Sequence, residues 1–493
     1  MNEEWVIRVF SVSGRSRVTV NSTCNLSTLK SKIASSLKVP EYQQLLSLDS
    51  FGNSLLKGDS LSIKQHGLYN GSIVYLITDA TPQITATQIP RQMSTKDLPE
   101  ITNKSETKRG FSEEDRKMSS STSLSGNQMV KSDVPKFKSF DYFISERNYV
   151  TDDLPLKQSY RSTFIEKGKM NKIPPSVTLK HQPYRHVDHL EMMNLTEAMK
   201  FVDYWKSTLG MLKQRVGWMY GYYREDSSYP MGIRAVMEAI YEPPQEGSFG
   251  SDGSLILEND TFKPSVDAIA NSLGLECLGL VFTHNERDEL LTSQEIITLG
   301  KLQLSSLKTT HYTRYPVNTF VTCTIAPCKS IQGGDPVPNA FSVSDLGLAF
   351  LRDGIIDETK IGDKMHIPVR DGEKGELLPQ ILENGKSTKK FDAHWLVVRI
   401  NESAPIQPKP FFSSTQFPRE NRVVSQKPGD VSEFIKNRLA SCPPTSYELL
   451  NDFHLLLYIA KIFDEATTIS ICNSIVNKVS IDQHLLEILM SLN

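Results

Sequence analysis

Cysteine is scarce in this sequence, and its distribution excludes two kinds of site. The chain has six cysteines, at positions that are widely scattered: Cys24, Cys277, Cys323, Cys328, Cys442 and Cys472. Disulfide-rich secreted domains and thiolate zinc fingers both need closely spaced cysteines. No cysteine occurs between Asn25 and Glu276, so that interval cannot hold a thiolate-rich finger. The single Cys323–Cys328 pair is interpreted as two ordinary thiols, and a reducing compartment is expected.

A charge surplus, a long apolar run and a nucleotide motif are also missing. Lys+Arg total 55 and Asp+Glu total 57, which leaves a net charge of −2 and no reason to expect nucleic acid as a partner. No run reaches the roughly 18 apolar residues of a membrane span, and the first residues lack a signal-peptide layout, so no membrane insertion is expected. Without a GxxxxGK[ST] motif this chain is not expected to be an ATP-driven motor, and no cofactor is expected.

Residues 1–78 carry the pattern of a small β-grasp domain. WVIRVFSV and SRVTV flank Ser13-Gly14-Arg15 as a hairpin does, and Leu29, Ile33 and Leu37 repeat on a following helix. LLSLDSFGNSLL and SIVYLI supply the remaining strands, an order similar to that of ubiquitin. The last strand continues into Ile77-Thr78-Asp79 instead of a free diglycine tail, so the domain is not expected to be a conjugated modifier.

Alternation along the third strand predicts which side chains of this domain face a partner. Leu46 and Leu48 are expected to face the core and Ser47 to point away from it. Phe51 is expected to be exposed in the loop Asp49–Asn53. Ser47 and Phe51 are therefore the candidate contact residues of this domain.

The next two segments differ sharply in composition. Residues 79–135 are dominated by Ser, Thr, Lys, Glu and Gln without apolar periodicity, which predicts a disordered tether. KFKSFDYFISERNYV at Lys136–Val150 then restores aromatic density.

Residues 176–330 are predicted to hold a helix followed by two strands. Asn194 and Glu197 have the spacing of a capping box, so the helix is expected to begin there. One face is predicted to be buried at Leu195, Ala198, Met199, Val202, Trp205 and Leu209. Two strands are predicted from their branched and aromatic residues, at Gly217–Arg224 and Ile233–Tyr241.

Four motifs resemble the nuclear protein localization protein 4 family. They are YRHVDH at Tyr184–His189, GIRAVMEAIYEPPQ at Gly232–Gln245, FPRENR at Phe417–Arg422 and NDFHLLLYIA at Asn451–Ala460. The resemblance implies an α+β protein with a ubiquitin-like β-grasp domain, a disordered tether, an inactive MPN (JAMM-like) domain at 176–330 and a C-terminal domain at 331–493 that ends in helices. Relatives place an SFxxYL element between two zinc fingers; here residues 136–175 are interpreted as a remnant of that region without metal ligands.

The resemblance also implies a function. It is that of a non-catalytic adaptor that brings ubiquitylated proteins to the valosin-containing AAA+ ATPase hexamer. The implied partners are ubiquitin fusion degradation protein 1 and polyubiquitin, and the implied process is proteasomal degradation, including ER-associated degradation. The implied location is the cytoplasm and nucleus, peripheral at the ER membrane, and the ubiquitin-like domain is the implied ATPase-docking module, which makes Ser47 and Phe51 the candidate ATPase contacts. The rivals are a structural MPN subunit of a proteasome-lid-like assembly and a deubiquitinating metalloprotease.

Active MPN metalloproteases need a general-base glutamate, an H-x-H-P segment and S-x-x-D. In this sequence the matching positions are Gln214, Phe282, His284, Thr292 and Glu295. The general base and one zinc ligand are therefore lost, and no catalytic residue and no metal are expected.

Two further groups of residues are weighed from the pattern alone. His181, His186 and His189 crowd together, but no fourth metal ligand is indicated beyond Asp188 or Glu191, and polar residues lining a surface are the favoured interpretation. The last sixty or so residues carry apolar spacing of helices, with Leu455, Leu456 and Ile459 as core. Groove residues for ubiquitin are not assigned.

Overall fold

The computed structural model describes residues 4–12, 14–52, 54–77, 137–147, 150–165, 168, 173–248, 255–328, 335–443 and 446–492. The predicted tether at 79–135 lies outside these residues. The described residues on both sides of that gap belong to one packed unit.

The first part of the chain is a mixed four-stranded sheet covered on one side by a helix. Its elements are β1 (Glu4–Ser11), β2 (Gly14–Asn21), α1 (Leu26–Leu37), β3 (Leu45–Ser47) and β4 (Ile73–Ile77). The strand order is β2-β1-β4-β3, with β1 antiparallel to β2 and parallel to β4. Asn25 caps α1 because its side chain accepts the backbone N–H of Thr28 at 3.0 Å. This is the β-grasp arrangement that the sequence predicts.

The expected exposure around β3 is only partly correct. Leu46 is 1% exposed in the core of this domain, as predicted. Leu48 is 43% exposed, because β3 ends at Ser47 and the alternation stops with it. Ser47 and Phe51 were predicted to be accessible, and both are buried. Phe51 packs edge-on against the ring of His311 at 5.4 Å, a residue of a distant loop.

Short elements connect this domain to the larger one. They are β5 (Lys138–Ser139), α2 (Phe140–Arg147), β6 (Thr163–Phe164), β7 (Val177–Thr178) and β8 (Tyr184–Arg185). Phe140, Phe143 and Ile144 of α2 are buried in the largest core cluster of the protein. The described part of residues 136–175 is therefore an integral part of the fold and not a loose remnant.

A closed seven-stranded barrel forms the centre of the molecule. Its elements and the helices between them are β9 (His189–Met192), α3 (Leu195–Asp203), β10 (Val216–Asp226), β11 (Gly232–Tyr241), α4 (Lys263–Ser272), β12 (Glu276–Thr283), α5 (Ser293–Ser305), β13 (Val321–Pro327), β14 (Pro336–Val343) and α6 (Asp345–Arg352). Then come β15 (His366–Pro368), β16 (Glu376–Leu377), β17 (Ile381–Glu383), β18 (Lys386–Ser387), β19 (Lys390–Asp392) and β20 (Val397–Ser403). The order around the barrel is β10-β11-β9-β20-β14-β13-β12.

The predicted domain boundary at residues 330/331 does not divide the fold. β14 pairs with β13 and with β20, and β20 pairs in turn with β9, so the barrel continues to residue 403. The sequence after β13 resembles a domain boundary because it is rich in turn residues. It joins two neighbouring strands of one barrel.

Two glycines allow β10 to lie very close to its neighbour β11. A Cβ atom at Gly221 would lie 1.8 Å from the carbonyl oxygen of Val236, at a bulge between the strands. A Cβ at Gly217 would lie 2.4 Å from Ile240 Cγ2. The G-x-x-x-G spacing of this strand therefore has a packing cause.

Helix α3 begins where the sequence predicts, but it buries a different face. Asn194 caps it by accepting the backbone N–H of Glu197 at 3.3 Å. Ala198 and Trp205 are buried as predicted, whereas Leu195 and Met199 are 40% and 54% exposed. The face that packs inward contains Phe201 and the charged Glu197, because Glu197 meets buried cations that the local pattern does not reveal.

The chain ends in four helices packed against α4 and the barrel. They are α7 (Pro428–Leu439), α8 (Phe453–Ile462), α9 (Glu465–Asn477) and α10 (Gln483–Met490). Leu455, Leu456 and Ile459 are 0% exposed in their shared core, as predicted. No helix within the described ranges is both long enough and apolar enough to cross a bilayer.

Candidate functional site

The position that the sequence analysis matches to a general base holds a buried glutamine, which hydrogen-bonds to the backbone of two other segments. Gln214 precedes β10 and is 2% exposed. Its side-chain oxygen accepts the backbone N–H of Ile256 at 3.1 Å, and its own backbone N–H donates to Gly247 at 2.8 Å. An amide cannot take a proton from water as a carboxylate does, so the structure gives this residue a bracing role.

The segment matched to H-x-H in the sequence analysis lies at the end of β12, and a buried phenylalanine ring stands at its first position. Phe282 is fully buried in the largest core cluster. His284 has its Nδ1 2.7 Å from the carbonyl oxygen of Asn285. Burial, with the nearby Arg287 cation, lowers the pKa of His284 to about 4, so its imidazole is neutral at pH 7.

Glu295, the carboxylate at the last of the matched positions, is already paired with an arginine of the same chain. Arg287 donates from its two terminal nitrogens to the two oxygens of Glu295, at 2.8 and 2.6 Å. Glu295 also forms a capping box with Thr292 at the start of α5. Among the described residues no group of three or more His, Cys, Asp or Glu side chains has a metal-binding arrangement.

The three crowded histidines separate in the fold, and each has its own neighbour. His186 Nε2 lies 3.0 Å from Asp345, and His189 Nε2 lies 2.6 Å from the hydroxyl of Ser403. The ring of His181 packs on Trp395 at 4.6 Å. These residues do not meet at one point.

Three of the four family-like motifs converge instead on a buried ionic cluster between the barrel and the C-terminal helices. We call it the motif cluster, and it consists of Glu197, Arg215, Glu242, Arg419, Glu420, Arg422, Asp452 and His454. With His454 protonated, four cations face four carboxyl groups. They come from α3, the ends of β10 and β11, the FPRENR segment and the start of α8.

One half of the motif cluster is centred on Glu242 of the EPPQ motif. Arg215 and Arg422 both donate to this carboxylate, and Glu242 is 0% exposed. Burial raises its pKa, but the neighbouring arginines outweigh burial and lower the pKa overall. Both guanidinium groups lie over the ring of Tyr204, Arg422 at 4.1 Å and Arg215 at 5.1 Å from its centroid.

Gln245 of the same motif forms two hydrogen bonds with the backbone of β10. Its side-chain oxygen accepts the backbone N–H of Val216 at 2.7 Å, and its amide nitrogen donates to the carbonyl of Val216 at 2.8 Å. The motif thus fixes both β10 and the FPRENR segment.

The other half of the motif cluster is a chain of contacts through His454. His454 Nε2 lies 2.8 Å from Glu197, and its Nδ1 lies 2.9 Å from Glu420. Arg419 donates to Glu197 at 2.7 Å. Asp452 caps α8 and also accepts the backbone N–H of Phe417 at 3.2 Å.

Charge pairing fixes the protonation of this half. Burial alone would lower the pKa of His454, but Glu420 and Glu197 raise it to about 10. Burial alone would raise the pKa of Glu197, but Arg419 and His454 lower it to about 2. Both groups are therefore charged at pH 7, and no atom of the pair is open to a substrate.

The sequence did not predict the motif cluster, although one signal of it was visible. Glu197 stands among apolar residues on a helix face, which is the pattern of a buried, paired charge. Its partners Arg419 and His454 lie more than two hundred positions away in the chain. Only the fold brings them together.

Exposed apolar side chains flank the motif cluster on the outside. Leu195 and Met199 of α3 are 40% and 54% exposed, and Val423 and Val424 are each 75% exposed. Arg422 donates to the carbonyl of Lys200, so residues 422–424 run beside α3. We call Leu195, Met199, Val423 and Val424 the apolar strip, and the motif cluster fixes the segment that carries the two valines beside α3.

Comparisons with known proteins agree with these motifs. A family model of the NPL4 family matches residues 215–489, and one described as nuclear pore localisation protein NPL4 matches residues 4–77. Nuclear protein localization protein 4 of Debaryomyces hansenii is 33% identical over 318 residues, which cover 58% of this chain and 53% of that protein. The Drosophila melanogaster homolog is 31% identical over 332 residues, covering 60% of this chain and 48% of that protein.

The chain spans about half the length of the curated relatives it matches. A solved β-grasp-like domain of a hypothetical Arabidopsis thaliana protein is 24% identical and covers 19% of this chain and 97% of that one, with a TM-score of 0.16. The β-grasp assignment therefore depends on the strand order of β1–β4 and not on this likeness. The NPL4 match covers more than half of the chain and includes both sides of the motif cluster, so the chain belongs to the NPL4 family.

Proposed function

We propose that this chain is a non-catalytic adaptor that recruits ubiquitylated proteins to the valosin-containing AAA+ ATPase. It would act with ubiquitin fusion degradation protein 1, in proteasomal and ER-associated degradation, in the cytoplasm and nucleus and at the ER surface. Family membership supports the proposal, and the motif cluster is the observation that carries it. The ion pairs of this cluster connect the barrel to the C-terminal helices. Its charged groups have partners within the fold, so none is accessible to react with a substrate, as expected of a binding platform.

An inactive MPN-type domain is part of this proposal. The barrel, with α4 before β12 and α5 after it, supports that assignment. Gln214 stands at the general-base position, and the Arg287 guanidinium neutralises Glu295. A carboxylate paired with arginine on both oxygens is a poor metal ligand, because binding a metal would leave a buried cation unpaired.

The apolar strip is the surface we assign to the client. Leu195, Met199, Val423 and Val424 are exposed on α3 and on the segment beside it, and we propose that a client polypeptide binds along them in extended form. An unfolded segment exposes the apolar side chains that such a strip would accept. Met199→Asp with Val423→Asp should weaken polyubiquitin binding at least fivefold. Lys436→Glu, exposed on α7, changes the net charge by the same −2 and is the matched control.

Two binding experiments test the proposal. Immobilised polyubiquitin should retain the ATPase hexamer only when this chain is present. The same ubiquitin chains should remain uncut after prolonged incubation with added zinc. Chain cleavage that a chelator blocks, or the absence of bridging, would contradict the adaptor role; bridging to a proteasome-lid subunit in its place would favour the structural rival.

A further inference from the structure

The ubiquitin-like domain has an apolar surface on the side of its sheet that α1 does not cover. Val9 and Val74 face α1, so their neighbours Phe10 and Tyr75 face the other way. Ile73 and Ile77 lie on the same side of β4. We call Phe10, Ile73, Tyr75 and Ile77 the open face. A sheet with a helix on one side normally presents a polar surface on the other.

The open face is occupied by an aromatic side chain from the barrel. Tyr312 is 3% exposed, with its ring 5.0 Å from the ring of Tyr75 and 6.2 Å from that of Phe10. Its backbone N–H donates to the carbonyl of Ser50 at 3.0 Å. The ring thus fills the open face as a ligand side chain would.

The loop that presents Tyr312 is closed at its base and braced from the side. Lys308 and Val317 exchange two backbone hydrogen bonds, at 3.0 and 2.9 Å, so residues 308–317 project as one loop. His311 Nε2 lies 3.1 Å from Asp141 of α2. The loop is therefore held at its base and at its side by residues outside the ubiquitin-like domain.

The rim of the open face carries unpaired positive charge. Arg8 of β1 lies directly opposite Arg17 of β2, and both are exposed. Neither forms an ion pair with any residue that the structure describes. Arg15 lies over the ring of Phe10 at 5.4 Å. Like charges directly opposite each other destabilise a sheet, so this arrangement favours an acidic partner.

We propose that the open face is a docking surface for a protein loop that presents an aromatic side chain among acidic groups, and that Tyr312 masks it in the closed form. We take this partner to be the AAA+ ATPase, an identification that rests on the proposed function. Partner and barrel then compete for one surface, and the ubiquitin-like domain must leave the barrel to bind. Residues 78–136 lie between β4 and the next described residue, so the domain is not joined to the barrel by a short connection. The domain also has a core cluster of its own, separate from that of the barrel.

Masking weakens the apparent affinity of the full chain for the ATPase, because only the fraction of molecules with an unmasked face can bind it. Removing the Tyr312 ring should therefore tighten ATPase binding by roughly tenfold, because an aromatic contact of this kind stabilises the closed form. Tyr312→Phe keeps the ring and should bind like wild type. Tyr312→Leu keeps apolar volume, and its affinity for the ATPase should lie between those of the variant without the ring and Tyr312→Phe.

The test uses the full chain and two readouts. Hydroxyl-radical footprinting reports the accessibility of Phe10 and Tyr75, and calorimetry reports affinity for the purified ATPase hexamer. In Tyr312→Ala we expect several-fold faster modification of both rings, tighter ATPase binding, and renewed protection of both rings when the ATPase binds. Arg8→Glu with Arg17→Glu should weaken ATPase binding of Tyr312→Ala.

Each other result has a distinct meaning. Unchanged footprints in Tyr312→Ala and Tyr312→Leu would show that Tyr312 does not mask the face. Exposed rings with unchanged ATPase affinity would show that the face is not the docking surface, while the adaptor role would survive. If neither wild type nor any variant binds the ATPase, the proposed function fails, and this inference fails with it.

Discussion

At His454, one proton decides whether the motif cluster is balanced. The imidazole lies between Glu197 and Glu420, and both ring nitrogens have a carboxylate partner. A neutral imidazole could donate to only one of them, and the other carboxylate would be left buried without a proton donor. Breaking such a buried arrangement costs about 3–5 kcal/mol. The residue therefore couples the stability of the barrel–helix seam to pH.

The pH dependence of stability follows from the raised pKa of His454. Its folded pKa of about 10 exceeds the unfolded value of about 6.5, so its contribution is complete below about pH 6.5 and is lost as the pH rises towards 10. The melting temperature should fall between pH 6.5 and 9.5, and His454→Gln should be less stable with a flatter profile. A His454→Gln profile parallel to wild type would show that another group causes the loss.

The residues near β10 and β12 also predict the metal content of the protein. Gln214 and Phe282 lack ligand chemistry, and Arg287 neutralises Glu295. The purified chain should therefore contain no stoichiometric zinc by elemental analysis. About one zinc per chain, lost in Glu295→Gln, would overturn this interpretation.

Among the elements, α2 shows how a segment without metal ligands can still be folded. Aromatic burial fixes this helix. Phe140 packs on Tyr315 and Tyr184, with ring centroids at 5.2 and 5.4 Å. Asp141 of the same helix reaches His311 of the loop that masks the open face. Helix α2 thus links the core to the position of the ubiquitin-like domain.

Truncating α2 in the core should destabilise the whole molecule. Phe143 is 4% exposed and packs on Tyr184 at 5.0 Å. Phe143→Ala should lower the free energy of unfolding by about 3 kcal/mol or more, because it leaves a cavity. Tyr142→Ala, on the same helix but only half-buried, should cost much less in a urea titration. Equal costs would mean that α2 packs less tightly than the core cluster indicates.

Elements with local signals could be predicted from the sequence, and long-range contacts could not. The hairpin at Gly14, the start of α3 and strands β10 and β11 each have caps, turns or alternation within a few residues. The burial of Phe51 depends on His311, and that of Glu197 on His454, and both partners are distant in sequence. Resemblance supplied the motifs, but only the fold shows that they meet as ion partners.

On the scale of the whole molecule, the protein combines a small domain with a large platform. The barrel and C-terminal helices share the motif cluster, and the ubiquitin-like domain contacts the loop 308–317 through Phe51 and Tyr75. Two linked binding sites can exceed either one by roughly 10²–10⁴ in affinity. An adaptor with a client strip on one part and an ATPase surface on the other would use that gain.

Deleting residues 1–78 tests this division of labour. The isolated chain should lose nearly all ATPase binding and keep its polyubiquitin binding, because the apolar strip lies outside the deleted domain. Calorimetry on both ligands gives the answer, and the melting temperature of the truncated chain controls for folding. Undiminished ATPase binding would place the anchor elsewhere.

In the proposed role, this chain delivers ubiquitylated clients to a motor and performs no chemistry itself. A reconstituted unfolding assay tests it most directly, with the ATPase hexamer, ubiquitin fusion degradation protein 1 and a polyubiquitylated fluorescent substrate. Adding this chain should start the loss of fluorescence, in an ATP-dependent manner and with the ubiquitin chains intact. No change on adding the chain, or loss of fluorescence with cleaved ubiquitin and without ATP, would contradict the account.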